Sequence, residues 1–395
     1  MSLNNNDQNK KTIKEGAARR KRRRITIFII IIVVIALIIA AGGYFFKTYR
    51  HYSGFSVRSN VELRGASDNL SYHKYGKGFL QCSSNGVTYF TRDEIIWDET
   101  FEMNHPLIDV CGDYAAVADM KQSDIYIYDK NGLVNRISSP RAILDVEVAG
   151  DGTVCVSTSQ GESSFIELKD KEGNELINIK KVFSSSGYLG DIPLSEDGNR
   201  LAAAFIYVSQ GSLESNILFY DFSRTSTDEM LVGGFSQYSD AIITTGEFMN
   251  NNVVCAIGDN ALTFYRFSSV PEIIHEELDI DWEIQSMSMN SSNVLFITKD
   301  SSGENNYRAF VYNTSGKLVS DVGFDFAYSK AILAGNNIVL YSQTDCQIYS
   351  FKGFRRFLRS RELRRISCIS EIRRSVAVSG AEPVCRKVSV FLMMP

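Results

Sequence analysis

Residues 250 to 265 read NNNVVCAIGDNALTFY, and the pattern of this stretch decides the fold. A polar turn leads into the apolar run Val253 to Ile257, a second polar turn follows, and another apolar run ends on the aromatic Tyr265. Short apolar runs bounded by Gly, Asn and Asp are typical of antiparallel strands joined by tight turns. The stretch therefore predicts two neighbouring strands of one sheet.

The same pattern occurs seven times between residues 76 and 349. The other six copies read GKGFLQCSSNGVTYF, GDYAAVADMKQSDIYIY, GDGTVCVSTSQGESSFIEL, EDGNRLAAAFIYVSQGSLESNILFY, NSSNVLFITKDSSGENNYRAFVY and GNNIVLYSQTDCQIY. The last residues of successive copies are 37 to 52 positions apart; they are Phe90, Tyr128, Leu168, Tyr220, Tyr265, Tyr312 and Tyr349. Intervals of about 40 to 50 residues are those of β-propeller blades.

A sheet of four short strands cannot bury both of its faces alone, so such sheets stack around an axis until the ring closes. The sequence therefore predicts an all-β fold, a β-propeller of about seven blades similar to WD40 and quinoprotein propellers. Beyond the first 46 residues the chain shows almost no sustained helical periodicity. An array of β-sandwiches is the structural alternative, and an eighth blade stays open if the C-terminal tail contributes.

The stretch Ile25 to Phe46, ITIFIIIIVVIALIIAAGGYFF, has 22 residues and no charged side chain. As a helix it would span roughly 33 Å, which is enough to cross a bilayer. The basic run Arg19 to Arg24 directly precedes it, and such clusters stay in the cytoplasm. We therefore expect a single-pass anchor in the cell membrane, with a cytoplasmic N-terminus and an extracytoplasmic C-terminal domain.

A cleaved signal peptide is the alternative, because the small residues Ala40 to Gly43 would suit a signal peptidase. The apolar core from Ile25 to Ala41 has 17 residues, whereas the apolar region of a signal peptide has about 7 to 15. The length therefore favours the uncleaved anchor.

These patterns divide the chain into five segments. They are a basic cytoplasmic tail (1–24), the transmembrane helix (25–46), a juxtamembrane segment (47–67), the propeller (68–353) and a basic C-terminal tail or incomplete last blade (354–395). Val57 to Leu63 alternates in polarity, and a strand there would close the ring by completing a blade. After Gly353 the chain becomes rich in Arg, and a partly disordered tail and an altered reading frame both explain this change.

The short basic N-terminus, the single apolar helix and about 300 residues of degenerate propeller repeats together resemble a known but uncharacterised family. Its members are single-pass, membrane-anchored, extracytoplasmic β-propeller proteins of Gram-positive bacteria. The resemblance covers roughly residues 20 to 352. It implies a propeller at the cell envelope and no enzymatic residues.

The net charge of −4 conceals a strong asymmetry. Residues 1–24 and residues 353–395 each carry +7, whereas 23 basic and 41 acidic residues between Ile25 and Lys352 leave −18 there. A domain of this charge would repel a phosphate backbone. We therefore expect no nucleic-acid partner.

Motifs for catalysis or metal binding are missing from the sequence. The seven cysteines include no CxxC pair, and Cys82, Cys155 and Cys255 occupy equivalent strands of different predicted blades, too far apart for disulfides. The four histidines have no metal-binding spacing, and the chain lacks GxSxG, phosphate-loop and GxGxxG motifs. Acidic segments at Asp129, Asp170 and Glu196 resemble calcium loops only superficially, and hairpin turns explain them. The sequence predicts no catalytic residue, metal or cofactor.

Trp282 is the one weak candidate for a binding contact. It follows Leu278-Asp-Ile-Asp281 at a predicted junction of blades, where core packing explains it equally well. With only Trp97 besides it, the chain lacks the blade-by-blade tryptophan docking of quinoproteins. Acidic pairs such as Asp279 with Asp281 are better explained as solvated loop residues than as a pair acting on a sugar.

The sequence favours a non-catalytic module that binds or scaffolds proteins in the cell envelope. It has an anchor, a rigid repeat scaffold and no recognisable chemistry, and an envelope or membrane protein is the expected partner. The alternative is a propeller enzyme that acts on an envelope glycan or peptide through unrecognised loop residues. The residues lining the central channel discriminate between them: clustered Asp, Glu or His favours catalysis, and mixed polar residues with Tyr favour binding.

Overall fold

The computed structural model describes residues 26–46, 54–62, 70–91, 94–209, 211–224, 230–239, 241–278, 280, 283–342, 345–353, 355–358, 376–379 and 387–394. The chain forms two compact units, which divide after His51. The first contains helix α1 (Thr26–Phe46), which is long and apolar enough to cross a membrane. A signal sequence near the N-terminus would also meet these criteria of length and composition.

The second unit contains seven four-stranded antiparallel sheets, each built from consecutive strands. Blade 1 consists of β2 (Ser71–Tyr75), β3 (Gly78–Ser83), β4 (Gly86–Phe90) and β5 (Ile95–Thr100). Blade 2 consists of β6 (Pro106–Cys111), β7 (Tyr114–Asp119), β8 (Asp124–Asp129) and β9 (Gly132–Ser138). Blade 3 consists of β10 (Ala142–Val148), β11 (Val154–Gln160), β12 (Ser163–Lys169) and β13 (Glu175–Val182).

The one-turn helix α2 (Phe183–Ser186) connects blade 3 to blade 4. Blade 4 consists of β14 (Tyr188–Asp191), β15 (Arg200–Ser209), β16 (Ser212–Asp221) and β17 (Leu231–Ser239). Blade 5 consists of β18 (Ile243–Asn250), β19 (Val253–Gly258), β20 (Leu262–Phe267) and β21 (Pro271–Glu277). Blade 6 consists of β22 (Ile284–Asn290), β23 (Asn293–Lys299), β24 (Tyr307–Asn313) and β25 (Leu318–Phe324). Blade 7 consists of β26 (Lys330–Ala334), β27 (Asn337–Tyr341), β28 (Cys346–Ser350) and β29 (Arg355–Leu358).

The seven-blade β-propeller expected from the repeats is confirmed. Every repeat corresponds to the second and third strands of one blade, and its last residue lies at or near the end of the third strand. All seven last residues are buried. The hairpin turns expected at Asp129 and Asp170 are also present, with each carboxylate accepting a backbone N–H bond across its own turn.

The core lies between neighbouring blades, because each sheet presents apolar side chains to both sides. Between blades 4 and 5, Phe219 packs on Tyr265 with ring centroids 5.0 Å apart, inside a cluster of buried residues from both sheets. Burial of one such side chain contributes about 1.5 to 3 kcal/mol to the stability of the fold. The stacking of blades therefore supplies the burial that a single sheet cannot.

Two features of the chain ends differ from the predicted segments. Blade 7 takes its fourth strand from Arg355–Leu358, so the seventh sheet extends past the predicted boundary at Gly353. Strand β1 (Gly54–Glu62) does not complete any of the seven sheets. It pairs instead with β31 (Lys387–Met394), which pairs with β30 (Val376–Ser379), in a separate three-stranded sheet.

Candidate functional site

The first strands of the blades form the inner wall of the ring. Strand β2 contacts β6, β6 contacts β10, β14 contacts β18 and β22 contacts β26. Trp282, the one weak candidate for a binding contact, is outside the described residues, as are Asp279 and Asp281. The candidate site is therefore defined by the side chains of the inner strands.

Five carboxylates from four successive blades meet on this inner wall. They are Asp109 on β6, Asp145 and Glu147 on β10, Asp191 on β14, and Glu247 on β18, and we call them the channel carboxylates. Burial raises the pKa of Glu147 well above its usual range, and the charges of the other four raise it further. Glu147 therefore lies close enough to the other four carboxylates for their charges to act on it.

Burial raises the pKa of all five carboxylates, and neighbouring charges add to it for Asp145, Glu147 and Glu247. Burial raises the pKa of Asp145 to about 6, with a further contribution from the charge of Asp191. Burial also raises the pKa of Glu247 to about 7, and Asp109 and Asp191 add to the effect. The Glu247 side chain keeps contact with solvent, which screens part of this repulsion. Within the described part of the chain, no basic side chain forms an ion pair with any of the five.

Two of the channel carboxylates hold neighbouring blades together. Asp109 Oδ2 accepts the backbone N–H of Val148 in blade 3 at 2.8 Å. Asp191 Oδ2 accepts the backbone N–H of Gly246 in blade 5 at 2.6 Å. Inner-strand N–H groups are thereby satisfied where the sheets adjoin. These two aspartates have a structural role that is independent of any ligand.

The other three have fewer partners. Among hydrogen bonds from described residues, Asp145 accepts one, from the N–H of the next residue, Val146, to its Oδ1 at 2.9 Å. Glu147 and Glu247 accept no hydrogen bond from the described residues. They occupy equivalent positions, because each pairs across its blade with a cysteine, Cys155 or Cys255. Glu147 and Glu247 are therefore the carboxylates with the most capacity left for a ligand.

The described cysteines are free thiols, as predicted. Burial raises the pKa of Cys155 and Cys255 well above the usual range, and Glu147 and Glu247 respectively add to this effect. A thiol held in its protonated form is a poor nucleophile. Among the described residues, no group of three or more His, Cys, Asp or Glu side chains has the geometry to hold a metal ion.

None of the five channel carboxylates was predicted from the sequence, because the repeat pattern covers only the second and third strands of each blade. The signal was present in the strands before the repeats of blades 2 and 3, LIDVC and ILDVEV, where a charge interrupts an apolar run. An acid in the middle of an apolar strand costs free energy unless the strand lines a wet surface or the acid has a partner. That rule would have selected Asp109, Asp145 and Glu147.

Comparison with solved structures supports the fold. Sqt1 from Chaetomium thermophilum matches with 12% identity and a TM-score of 0.51, covering 86% of this chain and 100% of that one. A eukaryotic initiation factor matches with 10% identity and a TM-score of 0.52, covering 87% and 88%. The WD40 domain of Neurospora crassa Pan2 matches with 6% identity and a TM-score of 0.45, covering 87% and 98%. At these identities the likeness to the first two structures shows the fold alone.

No curated protein matches the sequence. A protein-family model does match, over residues 48–381, and it therefore covers the greater part of the chain, including all seven blades. The chain belongs to the DUF5711 family, a family of unknown function.

Proposed function

We propose that this protein is a membrane-anchored, extracytoplasmic propeller that binds a partner protein of the cell envelope without catalysis. Helix α1 would hold it in the membrane with the N-terminus in the cytoplasm, as the basic residues before the helix favour. The observation that carries the proposal is the set of channel carboxylates, which have no cationic partner within the described chain. A basic surface on a partner protein would supply the missing charge.

The energetics of the site suit binding. Like charges that are crowded on a rigid ring raise the free energy of the unbound protein, and a bound cation relieves this repulsion. Glu147 and Glu247 sit on different blades, so a ligand that contacts both must enter the channel between them. A Lys or Arg side chain projecting from a partner has the charge and the length for this purpose.

An enzyme that acts on an envelope glycan or peptide is the second candidate, and one observation favours it. Burial and neighbouring charges raise the pKa of Glu147 well above its usual range, so this group holds its proton to higher pH than an ordinary glutamate does, as a general acid requires. Clustered carboxylates in the channel are also the arrangement that the sequence analysis associated with catalysis. This candidate requires a second carboxylate to act as base or nucleophile, for which Asp145 has the more moderate pKa, about 6.

Crosslinking on live cells separates the two candidates. Wild-type protein and the double variant Glu147→Gln, Glu247→Gln are crosslinked, and the captured proteins are identified by mass spectrometry. We expect a defined partner with a basic surface that the double variant captures at least tenfold less. Turnover of glycan or peptide substrates by the wild type, abolished in Glu147→Gln alone, would instead establish the enzyme.

The anchor is tested separately by protease shaving of intact cells. We expect the propeller to be released by protease, while a fragment containing α1 stays in the membrane. A soluble product that begins near Gly43 would show that α1 is a cleaved signal sequence.

A further inference from the structure

The second hairpin of blade 4 projects beyond its own sheet. Strands β15 and β16 have ten residues each, and they pair with each other up to Ser209 and Ser212. The flanking strand β14 reaches only to Ile206, and β17 only to Glu214. The last two residues of each strand at the turn therefore form an arm without a neighbour in the sheet.

This arm carries exposed apolar side chains on one face. Val208 is 71% exposed and pairs directly with Leu213, which is 46% exposed. Tyr188, at the start of the inner strand, is 64% exposed and pairs directly with Ile206. Residues that pair directly, or that are two apart along a strand, share one face of a sheet. Tyr188, Ile206, Val208 and Leu213 thus form one apolar surface, which we call the blade 4 ledge.

The ledge lies on the same face of the blade 4 sheet as residues that pack against blade 5. Ser215 pairs with Ile206, and its hydroxyl accepts the N–H of Ile243 in blade 5 at 2.9 Å. Further along the same face, Ala204 and Ile217 are buried against blade 5. The face is therefore the one that blade 5 covers, and the ledge is the part that extends past this cover. Outside α1, Val208 and Tyr188 are the most exposed large apolar side chains in the described chain.

Two contacts hold Tyr188 in place on the ledge. Its ring stacks on Phe183 of α2 with centroids 4.6 Å apart. Gly187 precedes it with φ of +81°, and a Cβ at this position would lie 2.5 Å from the carbonyl oxygen of Ile206. Only glycine allows the chain to approach β15 so closely. A fixed aromatic side chain loses little conformational entropy when a partner binds.

The ledge adjoins the acidic side of the channel. A β-bulge between Leu189 and Asp191 places Asp191 opposite Ala204, on the same face as Tyr188. Asp191 is three residues along β14 from Tyr188, a distance of about 10 Å along the strand. An apolar surface and the channel carboxylates therefore lie within the reach of one peptide segment.

We propose that the blade 4 ledge and the channel carboxylates together bind one segment of a partner protein, in which a large apolar side chain lies close to an Arg or Lys. This inference rests on the proposed function and specifies the partner. The apolar side chain packs between Tyr188 and the pair Val208 and Leu213. The basic side chain enters the channel beside Asp145, Glu147 and Glu247, where its positive charge favours the ionised form of these carboxylates.

A display library of random seven-residue peptides, selected against the full-length protein in lipid nanodiscs, tests the proposal. We expect the enriched peptides to contain Leu, Ile, Phe or Trp within three positions of Arg or Lys. Fluorescence anisotropy then measures the affinity of the best synthetic peptide. Leu213→Ser should weaken it about tenfold, as the loss of one partly exposed anchor predicts. Glu147→Gln combined with Glu247→Gln should weaken it at least as much.

Leu133→Ser is the matched control, because Leu133 is also 46% exposed but lies on β9 of blade 2. It should leave the affinity unchanged. Enriched peptides that are basic but not apolar, with affinity unaffected by Leu213→Ser, would overturn the ledge and leave the proposed function standing. No enriched peptide, or peptides without basic residues, would overturn both. A dimer in sedimentation that Leu213→Ser dissociates would show that a second copy covers the ledge, and would also overturn the proposal.

Discussion

Replacement of Asp145 by Asn should stabilise the protein at pH 8 and leave its stability unchanged at pH 4. Asp145 has an ordinary pKa of 3.8, which burial and the charge of Asp191 raise to about 6 in the fold. The folded protein therefore binds more protons than the unfolded chain between these two values, and its stability falls as the pH rises through this interval. The stabilising contribution of the protonated acid is complete below pH 4 and lost above about pH 6.

The magnitude follows from the two pKa values. Their difference of about two pH units corresponds to about 3 kcal/mol at 1.36 kcal/mol per unit. Asp145 is partly exposed to solvent, which screens the repulsion, so we expect about 1 to 3 kcal/mol. The asparagine Oδ1 can still accept the N–H of Val146, so the variant removes the charge without removing the hydrogen bond.

Thermal unfolding of the full-length protein at pH 4 and pH 8 measures the effect. For a domain of this size we expect Tm of Asp145→Asn to rise by about 2 to 6 °C at pH 8. Asp170→Asn is the control, because hydrogen bonds from Asn174 lower the pKa of this exposed turn residue. It should show no gain at pH 8. A loss of stability in Asp145→Asn at pH 8, or an equal gain at both pH values, would refute the assignment of Asp145 to a repulsive cluster.

Three further changes test other parts of the fold. Glu167→Ala should destabilise the protein by about 3 to 5 kcal/mol in urea unfolding, because the buried carboxylate accepts Arg141 at 2.7 Å and Lys169 lies 3.7 Å away, and both cations would lose it. A smaller effect than that of Glu167→Gln would contradict this. Gly187→Ala should lower Tm because the new Cβ would collide with the Ile206 carbonyl, whereas Gly161→Ala, where nothing lies within 4 Å, isolates the cost of the backbone conformation alone. A chain that ends at Leu358 keeps all seven sheets, so its Tm should lie within about 2 °C of the wild-type value. A chain that ends at Gly353 loses β29, exposes the edge of β28 and should aggregate on heating. Equal Tm values for the two truncations would show that β29 contributes nothing to blade 7.

The blade number could be predicted from the sequence because its signal is local. Within one repeat, Val253 to Ile257 and Leu262 to Tyr265 are apolar runs separated by a short polar turn, and each pairs with the other. The outer strands of the blades are harder to recognise. In β25, for example, buried and exposed residues alternate, and the run Leu318–Phe324 contains a central Asp321. The position of such a strand is determined by the neighbouring strand with which it pairs.

The two ends of the chain show more clearly which features the sequence pattern cannot predict. Strand β29 begins at Arg355, where the composition becomes Arg-rich, so no apolar run marks it. The pairing of β1 with β31 joins segments from opposite ends of the chain. Local pattern sets the propensity of each segment but not the register between distant ones. Alternation in Val57 to Leu63 thus predicted a strand but not its partner.

The channel carboxylates could not be grouped from the sequence because they are distributed from Asp109 to Glu247, and only closure of the ring brings them together. Spacing rules find sites within one helix or loop, where neighbours in sequence are neighbours in space. Here blades 2 to 5 each contribute one or two groups from their first strands. The position of a residue within its own repeat is therefore the quantity to compare between blades. The period of the repeats would have given this position from the sequence.

The residues at equivalent positions in other blades indicate that the charges of the channel carboxylates are not needed for folding. In β10 and β14 a bulge is followed by Asp145 and Asp191, whereas in β18 and β22 the residue after the equivalent bulge is uncharged, Thr245 or Ser286. The contact between blades does not need a charge either. Blade 6 makes it with Ser288, whose hydroxyl accepts the N–H of Leu333 in blade 7 at 3.0 Å. Blades 3 and 5 nevertheless place Asp145, Glu147 and Glu247 where burial and neighbouring charges raise their pKa values. These charges destabilise the fold, and neutral residues occupy the equivalent positions in other blades of the same ring. This is the physical reason to infer that the charges bind a cationic partner.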